Sequence, residues 1–395
     1  VANAWSRLGE IDQNAGRTDE ALRAYQESLK LLRESGDEAR LARTLSSVGY
    51  VNTVLGHYVD AFFFLKEALA KRRAIGDKRE IMRSLNDIAA VEQVQGRYDE
   101  ALKYDTENLS LAREVGEKNA VATLSGNLSN IHEDQGNYAA ALSLLADAKS
   151  IADELQDATL QASTLTFLGS TLRRMGDSAG AGAALQEAVR RARDLDNTAL
   201  LAEALAYQGA LLQSMHQPRP AAEALKESLA AAAKAGDRRL GLLARLYAAS
   251  GAQSAMDLRK VLAEIESSGL APLAAQARLA LARLALSENR AGEALIEAGK
   301  AIEAATPMAQ RDALLQAHHL ACRALVAQRK PETAQEHALA AIGSLEEMRQ
   351  GLSGEALQHF LGRPETATFG EDARRLLSAP GQAEALQRLE KALRP

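Results

Sequence analysis

A fixed 40-residue period constrains this chain more than any other feature. Gly16, Gly56, Gly96, Gly136 and Gly176 keep that step, as do Ala21, Ala61, Ala101, Ala141, Ala181 and Ala221. A third series runs Gly9, Gly49, Ala89, Ser129, Gly169, Gly209. A fourth runs Gly36, Gly76, Gly116 and Gly236, with Gln156 and Asp196 in the open places. Four in-phase series of small residues point to a repeated supersecondary unit, stacked because one unit cannot bury its own apolar faces.

The unit reads as a helix hairpin. Leu85, Ile88, Ala89, Val91 and Val94 form an apolar stripe at helical spacing, ended by Gly96. Tyr98, Ala101, Leu102, Leu109 and Ala112 form a second stripe, ended by Gly116. Glycine just past a helix end accepts positive φ at no steric cost. The small residues at 89 and 101 let the two helices approach closely. The expected fold is therefore all-α.

Composition agrees. The 395 residues are 47% hydrophobic but only 4% aromatic, which disfavours a closed β fold. The one cysteine, Cys322, excludes a disulfide scaffold and favours a reducing compartment, so a cytoplasmic location is expected. No apolar run is long enough for a membrane span. A formal net charge of -5 argues against a nucleic-acid partner. The chain starts at Val1 and already reads as helix there, without a secretory leader pattern, so a longer parent protein is expected.

These residues resemble the tetratricopeptide repeat family. Trp5-x-x-Leu8-Gly9, Gly16, Ala21 and Tyr25 carry the pattern first. Gly49, Gly56, Tyr58, Ala61, Leu65 and Ala68 carry it next, and then Gly96-Arg97-Tyr98-Asp99-Glu100-Ala101-Leu102. The 40-residue step exceeds the common ~34 and is similar to the long-helix subclass of kinesin light chains, LGN-type adaptors and Rap-type regulators. The family's aromatic three residues after the first small residue is missing. Asp12, Asn52, Glu92, His132, Leu172 and Leu212 stand there instead. The resemblance implies a right-handed superhelical solenoid with a concave inner groove.

Six repeats are read over 1–238, about three degenerate hairpins over 239–348, and a capping segment over 349–395. The hairpins are Arg238–Ser250 with Ala255–Ser267, Leu273–Leu286 with Ala291–Ala305, and Asp312–Ala327 with Pro331–Met348. Short helices are expected at Glu355–Leu361, Gly370–Leu377 and Gln382–Leu393. The last fifty residues also resemble the helical segment that joins tetratricopeptide arrays to caspase-like CHAT protease domains.

The resemblance implies that each repeat's first helix lines the groove. The residues expected to hold a partner there are Arg43, Tyr50, Arg83, Asn86, Asn130, Arg173 and Arg174. Asn amides can clamp a peptide backbone, and Arg forks bind carboxylates. The expected function is a non-catalytic scaffold binding a protein or peptide segment, with a second copy admitted through terminal repeats. The alternative is the sensor arm of a larger protein carrying an effector such as a CHAT-type protease.

No cofactor, metal set or catalytic constellation is expected. His318 and Cys322 share a helix face at chelating spacing beside His319, but no further ligand completes a site. Gly176-Asp177-Ser178-Ala179-Gly180-Ala181-Gly182 is glycine-rich but falls at a repeat turn running into a helix.

Overall fold

The computed structural model describes residues 1–15 and 17–395; Gly16 of the turn series lies outside the described residues. The described residues form 21 α-helices and one short 3-10 turn, with no strand. The first six are α1 (Ala2–Asn14), α2 (Thr18–Ser35), α3 (Glu38–Leu55), α4 (Tyr58–Ile75), α5 (Lys78–Val94) and α6 (Tyr98–Val115). Then come α7 (Lys118–Asp134), α8 (Tyr138–Leu155), α9 (Ala158–Met175), α10 (Ser178–Asp194), α11 (Thr198–Ser214) and α12 (Pro218–Ala235). The irregular part holds α13 (Arg238–Gly251), α14 (Ala255–Ser267), α15 (Ala271–Ser287), α16 (Ala291–Ala305), α17 (Arg311–Ala327) and α18 (Pro331–Met348). The chain ends in α19 (Gly354–Gly362), α20 (Pro364–Leu377) and α21 (Ala383–Ala392). No helix among the described residues is long and apolar enough to cross a membrane.

The small-residue series sets the closest packing. A Cβ added at Gly49 would lie 2.5 Å from Leu65 Cγ, one at Gly169 2.5 Å from Leu185 Cγ, and one at Gly209 2.6 Å from Leu225 Cγ. Ala61, Ala101, Ala141 and Ala181 are all fully buried. A polar tie recurs 26 residues apart, from a second helix to a carbonyl of the first. Ser28 Oγ donates to Ala2 O, Asn108 Nδ2 to Met82 O, and Ser228 Oγ to Ala202 O.

The missing aromatic has a structural replacement. Buried Asp12 accepts from Arg17 at 2.9 Å, and buried Glu92 pairs with Arg97. Each carboxylate staples its hairpin turn to the residue five positions on. Asn52 instead bonds its own helix, Nδ2 to Val48 O at 2.8 Å.

Turn backbone also explains where the period drifts. Gln156, Asp196 and His216 adopt φ of 52°, 48° and 58°, so the left-handed turn persists where glycine is absent. Later turns sit at Gln253, Gly269, Asn289, Ala309 and Arg329. Gly236 and Gly269 are only 33 residues apart, because α13 and α14 are short. One terminal helix differs from expectation: α20 starts at Pro364, six residues before Gly370, because proline is favoured in a helix's first turn.

The chain divides into two compact units, Val1–Leu124 and Ser125–Pro395, with the boundary inside α7. Within the second unit the array returns on itself. Arg311 at the start of α17 donates to Gln135 O at 2.8 Å, in the turn after α7. One apolar core joins Tyr138 and Met175 to Ile342, Leu345 and Met348 and to Phe360, Phe369 and Leu389 of the C-terminal helices.

Candidate functional site

In the first unit the expected inner-row residues are open to solvent. Arg43 and Asn86 are exposed, and Tyr50 is 50% exposed. Arg83 is exposed and pairs with Glu80, three residues before it at 2.7 Å. Arg83 and Asn86 line a groove of about 360 Å³ together with Arg79, Asp87, Asn108 and Thr123. Its wall is rigid. Buried Arg72 of α4 donates to Ser84 Oγ at 2.7 Å and pairs with Glu80 at 3.0 Å, which fixes α5 against α4. Burial pushes the Asp87 carboxyl up to about 6, against the opposing pull of Arg72 and Arg83.

In the second unit the same phase of the repeat is largely engaged. Asn130 is half-buried. Arg174 lies in a buried network, donating to Asp134 Oδ1 at 2.7 Å and Glu133 Oε1 at 3.3 Å. Ser170 and Thr171 donate to the two Glu133 oxygens at 2.8 and 2.6 Å. On its other side lies Asp312 of α17, at 4.0 Å. Asp312 in turn faces Arg363 at 2.7 Å. Burial opposes ionisation of Asp312, but Arg363 and Arg174 outweigh it and hold the carboxyl below its usual range.

Arg363 marks how the C-terminal segment docks. It stands between α19 and α20 and donates to Arg174 O at 2.8 Å and Thr366 Oγ1 at 2.8 Å. Its guanidinium lies 4.5 Å from the Phe360 ring centroid. A Cβ on Gly176, at φ 93°, would come within 2.8 Å of His359 O and of Arg363 Cβ, so glycine here admits the docked segment. Arg174 is thus bound internally and not presented to solvent. Nothing in the sequence pairs Arg174 with Arg363, 189 residues on, or with Asp312.

Arg173 differs from its neighbour. Its guanidinium lies over the Tyr247 ring, 6.0 Å from the centroid, and its buried Nε has no hydrogen-bond partner. It lines a cavity of about 230 Å³ whose wall also includes Tyr247, Gln276, Arg283, Gln316 and Arg363.

The histidine–cysteine cluster separates into three contacts. His318 and His337 face each other through Nδ1 atoms 2.8 Å apart, and His319 Nε2 meets Asp372 Oδ2 at 2.9 Å. Cys322 Sγ donates to Ala334 O at 3.0 Å, and burial pushes its thiol up to about 12. Among the described residues no three His, Cys, Asp or Glu side chains are grouped to hold a metal. In the glycine-rich turn, Asp177 Oδ1 accepts from Gly180 N at 2.8 Å and caps α10.

Comparison with known proteins places this architecture. A tetratricopeptide repeat model matches residues 1–74 and 80–154, and a model for anaphase-promoting complex subunit 5 matches 156–215. No curated protein matches the sequence. Among solved structures, a Rap protein complexed with competence and sporulation factor aligns at TM-score 0.60 and 16% identity, covering 78% of this chain and 97% of that one. The human IFIT1 dimer with m7Gppp-AAAA aligns at TM-score 0.50 and 17% identity, covering 100% of this chain and 90% of that one. At these identities the likeness is one of fold: an all-α tetratricopeptide-type solenoid.

Proposed function

We propose that this tetratricopeptide-repeat array is a non-catalytic interaction scaffold, and that its first unit holds a segment of a partner protein along Arg43, Tyr50, Arg83 and Asn86. The observation that carries this reading is the open groove beside Arg83 and Asn86, set on a wall held by buried Arg72. A preformed groove costs little ordering on binding. Asn86 supplies both donor and acceptor to an extended backbone, Arg83 and Arg43 supply forks for carboxylates, and Tyr50 an apolar face. The Rap protein solved with competence and sporulation factor gives a precedent for ligand binding on this fold. The fold leaves other ligand classes open, since IFIT1 was solved with m7Gppp-AAAA, and the preference for a protein segment rests on the groove and the net charge of -5. In the second unit the reading narrows. Arg174 is committed to its own network and Arg173 faces the 230 Å³ cavity, so Asn130 remains the partner-facing residue proposed there.

The test is comparative capture of partners. Arg83→Ala and Asn86→Ala should each weaken the complex about ten- to a hundredfold, the worth of one charge-assisted or well-made polar contact, at unchanged melting temperature. Lys103→Ala, on the exposed face of α6, should leave it intact. Loss of binding in Lys103→Ala with retention in the two groove variants would move the site off this row.

A further inference from the structure

Four arginines line the 230 Å³ cavity of the second unit, and they fall into two kinds. Arg174 and Arg363 have carboxylates of their own in Glu133, Asp134 and Asp312. Among the described residues, Arg173 and Arg283 have none. Arg173 lies over the face of Tyr247 and leaves its buried Nε without an acceptor. Arg283, on α15, donates to the neutral amide oxygen of Gln316. That amide's nitrogen is turned away to Asp312 Oδ2 at 3.1 Å, so the glutamine relays the network without supplying a negative charge to Arg283. Glu365, also on the wall, is exposed at the rim, and its field falls on Arg363.

Asp312 also stands on the wall, but its ion pairs go to Arg174 and Arg363, so among the described residues the guanidinium groups of Arg173 and Arg283 share one small cavity without a paired carboxylate and favour the entry of something negative. The rest of the wall suits such a guest. Ser178, Ser214, Ser250 and Gln276 add hydroxyls and an amide that can bond oxyanion oxygens. Planar guanidinium forks match phosphate and carboxylate geometry. The volume admits a small ion and excludes a folded segment.

We infer that this cavity is a binding site for a small oxyanion, held between Arg173 and Arg283. Phosphate-bearing and carboxylate-bearing ligands share that chemistry, and the probes tell them apart. The site is separate from the open row of the first unit and does not depend on it.

The experiment is calorimetric titration of the full chain with pyrophosphate, orthophosphate and succinate, each against sodium chloride of equal ionic strength. Saturable binding of one ion per chain is expected. Tighter binding of the phosphates assigns a phosphate-bearing ligand, and tighter binding of succinate assigns a dicarboxylate. Arg173→Gln and Arg283→Gln should each weaken it at least tenfold with the helical circular dichroism retained. Arg173→Lys should recover part of the loss. Arg190→Gln, on the exposed face of α10, should change nothing. Absence of saturable binding to the unmodified chain by all three ions would overturn the proposal. So would binding undiminished in both glutamine variants.

Discussion

The two units use the same helical phase in opposite ways. In the first, Arg43, Tyr50, Arg83 and Asn86 stay exposed, and Arg83 and Asn86 border an open groove. In the second, Arg174 is enclosed by Glu133, Asp134 and Asp312, and Arg363 of the C-terminal segment is bonded to its carbonyl. The units also differ in their turns. Every described left-handed turn of the first unit is a glycine, whereas the second places Gln156, Asp196, His216, Gln253, Asn289, Ala309 and Arg329 in that conformation. The lesson is that a repeat fixes where side chains point but not what they meet. The second unit covers its inner row with its own chain and holds costly backbone conformations in place by the packing around them.

The largest effect that would break this comparison is on the buried ion pair. Arg363→Ala strands Asp312, which is buried, and should cost about 3–5 kcal/mol. Hydrogen exchange should then show loss of protection in α19 and the inner end of α9, with the first unit unchanged. Protection retained in α19 would mean that apolar contacts alone dock the segment.

A second effect belongs to the first unit. Asp105 is buried at 2% exposure, at the phase of Leu65 and Leu145, and its Oδ1 has no hydrogen-bond partner. Burial pushes its carboxyl up to about 7 from 3.8. A raised carboxyl keeps its proton in the folded chain when the unfolded chain has already lost it. Stability contributed by this group is therefore full below pH 3.8 and falls as pH climbs towards 7. Asp105→Asn should match the parent at pH 4 and exceed it at pH 8 by roughly 2–4 kcal/mol. A weaker slope of the same sign should persist from Asp87, raised to about 6. Equal stability at pH 8 would show that Asp105 reaches water. The residue shows how the sequence could have flagged it, being the one acid in an otherwise apolar column.

The smallest effect sharpens the turn comparison. Gln156→Gly should relieve a side chain held at φ 52° and change stability by about +0.5–1 kcal/mol, since the gain at the turn is partly offset in the unfolded chain. Asp153→Gly, inside α8, should instead destabilise by a similar amount, through helix propensity and the lost contacts to Lys149 and Gln161. Thermal unfolding of both variants checks the pair.

Much of the fold was legible because it repeats. The helix class, the 40-residue step, the turn positions and the close approaches at Gly49, Gly169 and Gly209 follow from where small residues recur, since each unit is packed by its neighbours in sequence. The sequence also carried the departure at Asp12 and Glu92, although their pairing with Arg17 and Arg97 needed the hairpin to be closed. Tertiary structure alone decided the fate of the inner row. Arg173 and Arg174 are adjacent and chemically identical, yet one meets three carboxylates and the other an aromatic face and a cavity. Period and polarity set the direction of a side chain from its own helix. Its partners at 312 and 363 arrive only when the second unit curls back and brings α17 and the C-terminal segment to α9, a closure that depends on summed curvature and carries no local signature.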